Sequence, residues 1–296
     1  MVEPKSPKMT APLPYLKMNG LGNDFVVLDA RAQKIALSQQ QIIAISDRAN
    51  GIGCDQLIVM EPDTVDGVDV FMRIYNAEGG EVDACGNATR CIAALVAEEL
   101  GSNSATIRTN AGILAANVAG DIVTVDMGVP RFAWDQIPLA EPFSDTTGIE
   151  LQIGPIDKPL LHTPSVVNVG NPHAIFWVDD LDIHDLAKFG PMLENHPIFP
   201  ERANVTLAQV LADDRIRVKV WERGAGLTLA CGTAACATAV AAARKGLTGR
   251  KATIELPGGP LDIEWRAADD HILMTGPWTL DGKGFIPPTL LGEDAA

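Results

Sequence analysis

The chain has 296 residues, 47% hydrophobic and 21% charged, a balance that builds a buried core and excludes intrinsic disorder. At about 100 to 200 residues per domain, that length fits two domains or one large one. The formal net charge is −15, from 38 acidic and 23 basic residues, so the surface repels phosphate backbones and anionic lipid; neither nucleic acid nor membrane is expected as a partner, and small substrates carrying ammonium groups suit it better.

Residues 1–14 hold lysines and prolines with no apolar stretch behind them, which reads as a flexible tail and not a signal peptide. Strand-like runs follow at 25–28 and 57–60, with a helix around 38–49 between them, and the run 68–75 is rich in β-formers. After Cys85-Gly86 a helical stretch with Asn87 as its cap is expected to run to Gly101, with Ile92, Leu95, Val96 and Leu100 as one apolar stripe. Further strands are expected at 113–118 and 122–127, and the Pro-rich segment 130–142 interrupts the pattern as a domain junction. In the second half strands are expected at 166–169 and 175–178 and a helix around 181–194. Ile216, Val218 and Val220 then alternate with Arg217 and Lys219, the period of a half-buried strand. An Ala-rich helix capped by Thr233 is expected to end at Gly246, before a strand at 253–256. The most apolar stretch, 229–243, contains two Thr and a Gly and falls short of the about 18 residues a membrane span needs, so it is read as a buried helix. Many strands, few helices and no regular βαβ alternation make the fold class α/β in the mixed α+β sense, each domain a curved sheet wrapped on a central helix.

Internal similarity is the strongest signal. Ala84-Cys85-Gly86-Asn87-Ala88 returns as Ala230-Cys231-Gly232-Thr233-Ala234, an offset of 146 residues (231 − 85). Gly22-Asn23 matches Gly170-Asn171 at an offset of 148, and Arg48-Ala49-Asn50 matches Arg202-Ala203-Asn204 at 154, in the same order. Collinear pairs at nearly one offset imply duplication, with two similar domains facing each other across a pseudo-two-fold axis.

Cysteine usage fits a reducing, cytoplasmic setting: Cys54, Cys85, Cys91, Cys231 and Cys236 are odd in number, form no C-x-x-C pair and lack zinc spacing, so no metal is expected. Cys54, Cys91 and Cys236 read as small buried apolar residues. Cys85 and Cys231 each precede a helix start, where unpaired N–H groups and the helix dipole would draw a thiol pKa of about 8.5 toward neutrality. The glycine after each is read as letting the backbone approach a ligand, since packing alone would not call for it. Two such cysteines on opposite walls of one cleft suit inversion of an amino-acid α-carbon. The N–H groups of Gly86, Asn87, Gly232 and Thr233 would hold the carboxylate; one thiolate would remove the α-proton while the opposite thiol supplies another, with no pyridoxal cofactor. The pair would titrate as a coupled unit. Glu222 and Asn76 occupy equivalent positions (222 − 76 = 146) from which both could reach an α-ammonium, although Glu222-Arg223 also reads as an exposed ion pair at a strand end. For His173 a structural and a catalytic role stay open.

With these residues in view the chain resembles the diaminopimelate epimerase family over about residues 15–290. The resemblance is carried by MNGLGNDFVVLD at 18–29, GIGCDQLIV at 51–59, MRIYNAEGGEVDACGNATRC at 72–91, GNPHAIF at 170–176, ERANV at 201–205 and WERGAGLTLACGTAACA at 221–237. It implies a cofactor-independent isomerase interconverting LL- and meso-2,6-diaminopimelate in lysine and peptidoglycan precursor synthesis, acting as a cytoplasmic homodimer. The implied fold is two pseudo-symmetric domains of mostly antiparallel sheet, 15–130 with a returning strand at 278–289, and 131–277. By motif position Cys85 and Cys231 are the acid–base pair, and Asn23, Gln56, Asn76, Asn171 and Asn204 contact substrate. Gly86, Asn87, Gly232 and Thr233 hold the reactive carboxylate, Arg223 the distal carboxylate and Glu222 an ammonium, while His173 and Glu222 polarise the thiols. Leu227, Ala88, Ala234, Glu78 and Gly80 depart from the commonest family pattern without removing a substrate contact. A proline or hydroxyproline racemase-like enzyme, a phenazine-type isomerase lacking the cysteine pair, a thiol redox protein and a non-enzymatic binding domain are the competing readings.

Overall fold

The computed structural model describes residues 12–292. The expected tail lies outside the described residues over 1–11, and Leu13 and Pro14 already pair with Ile286 and Phe285. In chain order the first half holds β1 (Leu13–Gly20), β2 (Asn23–Asp29), α1 (Gln39–Ser46), β3 (Gln56–Glu61), β4 (Val70–Asn76) and β5 (Glu81–Val82). It continues with α2 (Gly86–Leu100), β6 (Ser104–Thr109), β7 (Gly112–Ala119) and β8 (Ile122–Asp126). Two short strands, β9 (Gln152–Ile153) and β10 (Leu161–His162), pair only with each other. The second half holds β11 (Ser165–Asn168), β12 (Pro172–Trp177), α3 (Leu186–Glu194), β13 (Asn204–Ala212), β14 (Arg215–Glu222) and β15 (Gly226–Thr228). After it come α4 (Gly232–Lys245), β16 (Lys251–Leu256), β17 (Gly259–Trp265), β18 (Ile272–Pro277) and β19 (Thr279–Ile286).

The duplication read from the cysteine motifs extends to the strand pairings of β1 to β8, which β11 to β18 repeat without β9–β10. In the first half β1–β2, β3–β4, β4–β5, β6–β7 and β7–β8 are antiparallel and β2–β3 and β4–β6 parallel. β11–β12, β13–β14, β14–β15, β16–β17 and β17–β18 repeat the antiparallel set, and β12–β13 and β14–β16 the parallel one. A parallel pair needs a crossover. α1 and α3 supply it at the parallel pairs β2–β3 and β12–β13; α2 and α4 supply it at the other two. The halves join where β8 pairs antiparallel with β18, and β19 returns to pair with β1.

Helix boundaries follow local chemistry. Ser38 and Gln41 form a reciprocal capping box at the start of α1, which stops at Ser46, three residues before the expected end. The expected helix 181–194 is broken into a 3₁₀ turn at Leu181–Ile183 and α3, because Asp185 caps a new start by accepting from the Lys188 N–H. Gly101 and Gly246 end α2 and α4 in the left-handed conformation, with φ of 61° and 69°. The single apolar stripe expected for α2 is not what forms: every residue from Gly86 to Ala97 is buried, as is most of α4, and Leu100 is exposed. Both helices lie inside the curved sheet and share one core with it, so neither keeps a solvent face.

An added Cβ at Gly246 would meet nothing within 4 Å, so only backbone strain opposes alanine there. Gly246→Ala is expected to destabilise the chain by about 1 kcal/mol, the cost of left-handed backbone for an L-residue. Urea denaturation checks this; an unchanged midpoint would contradict the left-handed cap.

Candidate active site

Cys85 and Cys231 are themselves the N-caps, with extended backbone at φ −147°, ψ 109° and φ −133°, ψ 107°. The expected caps Asn87 and Thr233 instead lie two residues inside their helices. The shift has a simple cause: the Cys85 sulfur accepts the Ala88 N–H at 3.5 Å, filling the place of a capping oxygen. Cys231 Sγ lies 3.5 Å from Thr233 Oγ1. Both sulfurs therefore stand at the mouth of a helix start, next to its unpaired N–H groups.

The expectation of thiols drawn toward neutrality is not met. Burial dominates at both sites: it pushes Cys85 up to about 11 and Cys231 well above the ordinary range, and the nearby Glu222 carboxyl pushes each further in the same direction. The N–H groups of Asn87 and Ala88 at one helix start, and of Ala234 at the other, act in the opposite sense but do not prevail. Glu222 is itself raised by burial, and hydrogen bonds from Thr228 and from the Cys231 thiol pull back against it. Its Oε1 accepts the Thr228 hydroxyl at 2.5 Å. Burial thus favours the protonated thiol at both positions, with the Glu222 carboxyl close to Cys231.

A cleft of about 1440 Å³ between the halves is lined by both cysteines, by Gly86, Asn87, Gly232 and Thr233, and by Asn23, Gln56, Asn76, Asn171, Asn204, Glu222 and Arg223. The two glycines have a packing reason that the sequence did not disclose. A Cβ on Gly86 would lie 2.9 Å from Met274 Cε, and one on Gly232 would lie 2.7 Å from Met274 Sδ. One methionine of β18 thus touches both helix starts, and with glycine at each its side chain need not swing aside. Asn87 ties the halves together at the same place, donating to Asn23 Oδ1 and to the Ala230 carbonyl, each at 3.3 Å.

Around this centre the amides are held by fixed partners. Asn23 donates to Asp55 at 3.0 Å, which turns its Oδ1 toward Asn87 and Cys85 Sγ, the latter at 3.7 Å. Gln56 donates to Asn76 Oδ1 at 2.9 Å. Asn204, 3% exposed, is committed to backbone: it donates to the Pro172 carbonyl at 3.0 Å and accepts the Arg223 N–H at 2.9 Å, so it shapes the turn that carries Arg223. Arg223 donates to the Glu201 carbonyl at 2.9 Å, and among the described residues no carboxylate is paired with it. The exposed Glu222–Arg223 ion pair therefore does not form.

His173 is fully buried, does not line the cleft and touches neither sulfur. Its Nε2 is 2.7 Å from Asn171 Oδ1, and burial together with the Arg223 charge holds it down to about 3, so it is a neutral ring that orients an amide. The sequence reading missed two supporting acids. Asp55 stands inside the GIGCDQ motif and was legible only as a motif member. Glu194, 5% exposed, accepts from Trp221 Nε1 at 2.7 Å and the Gly224 N–H at 2.9 Å and pairs with Arg202; no local pattern announced it.

Comparison with known proteins accords with this geometry. The family model described as diaminopimelate epimerase matches residues 15–133 and 165–280. A diaminopimelate epimerase of Rhodopseudomonas palustris is 55% identical over 283 residues, covering 95% of this chain and 97% of that protein. One from a Bradyrhizobium species is 55% identical over 284 residues with the same coverage. Among solved structures, a hydroxyproline epimerase from Agrobacterium vitis superposes with a TM-score of 0.66 at 14% identity, covering 93% of this chain and 92% of that one. A PhzF-family phenazine biosynthesis protein from Bacillus anthracis superposes with a TM-score of 0.64 at 16% identity, covering 94% and 100%. These two share the fold of two pseudo-symmetric domains. The chain belongs to the diaminopimelate epimerase family.

Proposed function

We propose that the chain interconverts LL- and meso-2,6-diaminopimelate without a cofactor, by proton transfer between Cys85 and Cys231 across one α-carbon. The observation that carries this is the placing of two equivalent N-cap thiols in one cleft, each at a helix start able to bind a carboxylate. The α-carboxylate sits on the N–H groups of Gly86, Asn87, Gly232 and Thr233, which stabilise the charge that moves onto it as the α-proton leaves. In one direction Cys231 gives its thiol proton to Glu222 and takes the α-proton as a thiolate. Cys85 then supplies its own thiol proton to the opposite face, ending as the thiolate. The proton that Glu222 gains matches the one that Cys85 gives up, and exchange with solvent returns both groups to their starting states. In the reverse direction the Cys85 thiolate takes the α-proton, Cys231 supplies its thiol proton to the opposite face, and Glu222 returns a proton to Cys231. At the far end of the substrate Arg223 binds the distal carboxylate, with the amides of Asn23, Gln56, Asn76 and Asn171 toward the ammonium groups and Asn204 holding the turn. The same proposal divides the chain into domains at 15–130 with 278–289 and at 131–277, a division supported by the repeated pairings and the β1–β19 return. Action as a homodimer in the cytoplasm belongs to this family-based reading as well.

Because inversion needs a group on each face, Cys85→Ala and Cys231→Ala are each expected to lower epimerisation by about 10²-fold or more while leaving the circular dichroism spectrum unchanged. A folded variant that keeps more than about a hundredth of the activity would exclude a two-thiol mechanism.

Arg223→Lys keeps the charge but loses the planar fork, so turnover is expected to fall strongly. Substrates lacking the distal head leave buried donors unpaired and are expected to be about 10⁴-fold poorer. Proton exchange at the α-carbon of LL-diaminopimelate, L-lysine and L-proline at equal concentration decides between this and a proline-type racemase; faster exchange with proline would favour the latter.

With Cys85 pushed up by burial, the thiolate fraction in the free protein rises with pH throughout the range below about 11. Iodoacetamide labelling of Cys85, read by peptide mapping from pH 7 to about 9.5, is expected to climb close to tenfold per unit with no plateau. A plateau near pH 7 would show a thiol already ionised at rest.

A further inference from the structure

Arg90 is the largest fully buried side chain, at 0% exposure, and stands five residues after Cys85 on α2. Helical side chains lean toward the helix N-terminus, and this one reaches back beneath the paired helix starts. Its Nη1 lies 3.9 Å from Met274 Sδ, the methionine that packs on both Gly86 and Gly232. A Cβ built on Gly20 would be 3.2 Å from Arg90 Nη2 and equally 3.2 Å from Asn87 Cβ. The guanidinium gives one ordinary hydrogen bond, from Nε to the Pro277 carbonyl at 3.1 Å. Among the described residues Nη2 has no partner, and no carboxylate is paired with the group. The titratable groups that act on it are three thiols, Cys85 and Cys91 from its own helix and Cys236 from α4, while burial holds it below the ordinary arginine range. The duplicated position in the second half is Cys236 (90 + 146), so the cation occurs once, between the two helices.

Packing does not account for this charge. A buried ion without a counter-ion is costly, and an apolar side chain of similar volume in such a place is often neutral or stabilising. An anion present only while the site works would supply the missing partner. We infer that Arg90 is a positioning residue for the reaction: through Met274 it fixes the two helix starts, and its charge offsets the negative charge that develops on Cys85 and on the bound carboxylate. The inference rests on Cys85 and Cys231 being the acid–base pair. The groups facing Cys85 oppose one another, with Arg90 and the N–H groups of Asn87 and Ala88 favouring its anion and Glu222 disfavouring it. Asp281 acts on Cys91.

The test uses the full chain with Arg90→Met and Arg90→Lys, reading thermal stability, substrate-free iodoacetamide labelling of Cys85 across pH 7 to 9.5, and α-proton exchange of LL-diaminopimelate. Arg90→Met is expected to melt at the wild-type temperature or above, yet to label Cys85 about tenfold more slowly at each pH, the effect of losing a nearby opposite charge. Exchange is expected to fall with it, and Arg90→Lys to recover most of both. Wild-type labelling in a folded Arg90→Met chain would overturn the inference. So would an Arg90→Met chain that loses its fold, since the guanidinium would then be structural, or an Arg90→Lys chain as impaired as Arg90→Met. Absence of exchange in the wild-type protein would count against the epimerase reading, while the substrate-free labelling would still decide whether Arg90 supports the anion.

Discussion

The closure of two helix starts on the side chain of Met274 is the contact from which the rest of the site follows. A Cβ on Gly86 or Gly232 would stand 2.9 Å or 2.7 Å from the end of that methionine, so glycine lets both helix starts close on it without moving its side chain. With α2 and α4 brought this near, two sets of unpaired N–H groups point into one cleft, and the residues that cap them bring their sulfurs to the same place. The convergence of the two helix starts and the placing of the two sulfurs are thus two consequences of one packing contact. The seam between β8 and β18 carries Met274 and holds the two repeated units in the required register.

Close packing also sets the resting chemistry. A helix start favours thiolate, and burial disfavours it; at Cys85 and Cys231 burial prevails. Under the proposed mechanism, charges on the substrate and the Glu222 carboxyl shift that balance when the site is occupied. On that reading ionisation is coupled to occupancy instead of being a standing property of the cysteines.

Much of this was legible in the residues, and the rest was hidden for identifiable reasons. Duplication showed in the paired Ala-Cys-Gly motifs because both helix starts keep the same capping and close-packed residues, and the glycines ending α2 and α4 followed from the left-handed cap. Several strands escaped notice. β1 carries a proline at its second residue and ends in Gly, β17 opens with Gly-Pro and β18 ends in it, so turn-forming residues masked their pairing. β13 was hidden because its alternation is lost: Asn204 to Ala208 are all buried, being covered on both faces. The packing of the glycine after each cysteine was not legible, since its neighbour Met274 lies far away in sequence. His173 could not be placed from sequence because the choice between orienting Asn171 and touching a thiol depends on three-dimensional neighbours.

Inversion by two opposed thiols leaves a signature in where label appears after a single passage. The measurement is conversion of LL-diaminopimelate by the cofactor-free protein in deuterium oxide, stopped at low conversion, with product and residual substrate separated and the inverted centre examined by mass spectrometry. A donor thiol distinct from the acceptor delivers solvent deuterium, so the meso product is expected to be fully labelled at that centre while the recovered LL isomer keeps its protium. Product that retains the original protium would mean that one group both removed and returned the proton, and would contradict proton transfer between Cys85 and Cys231.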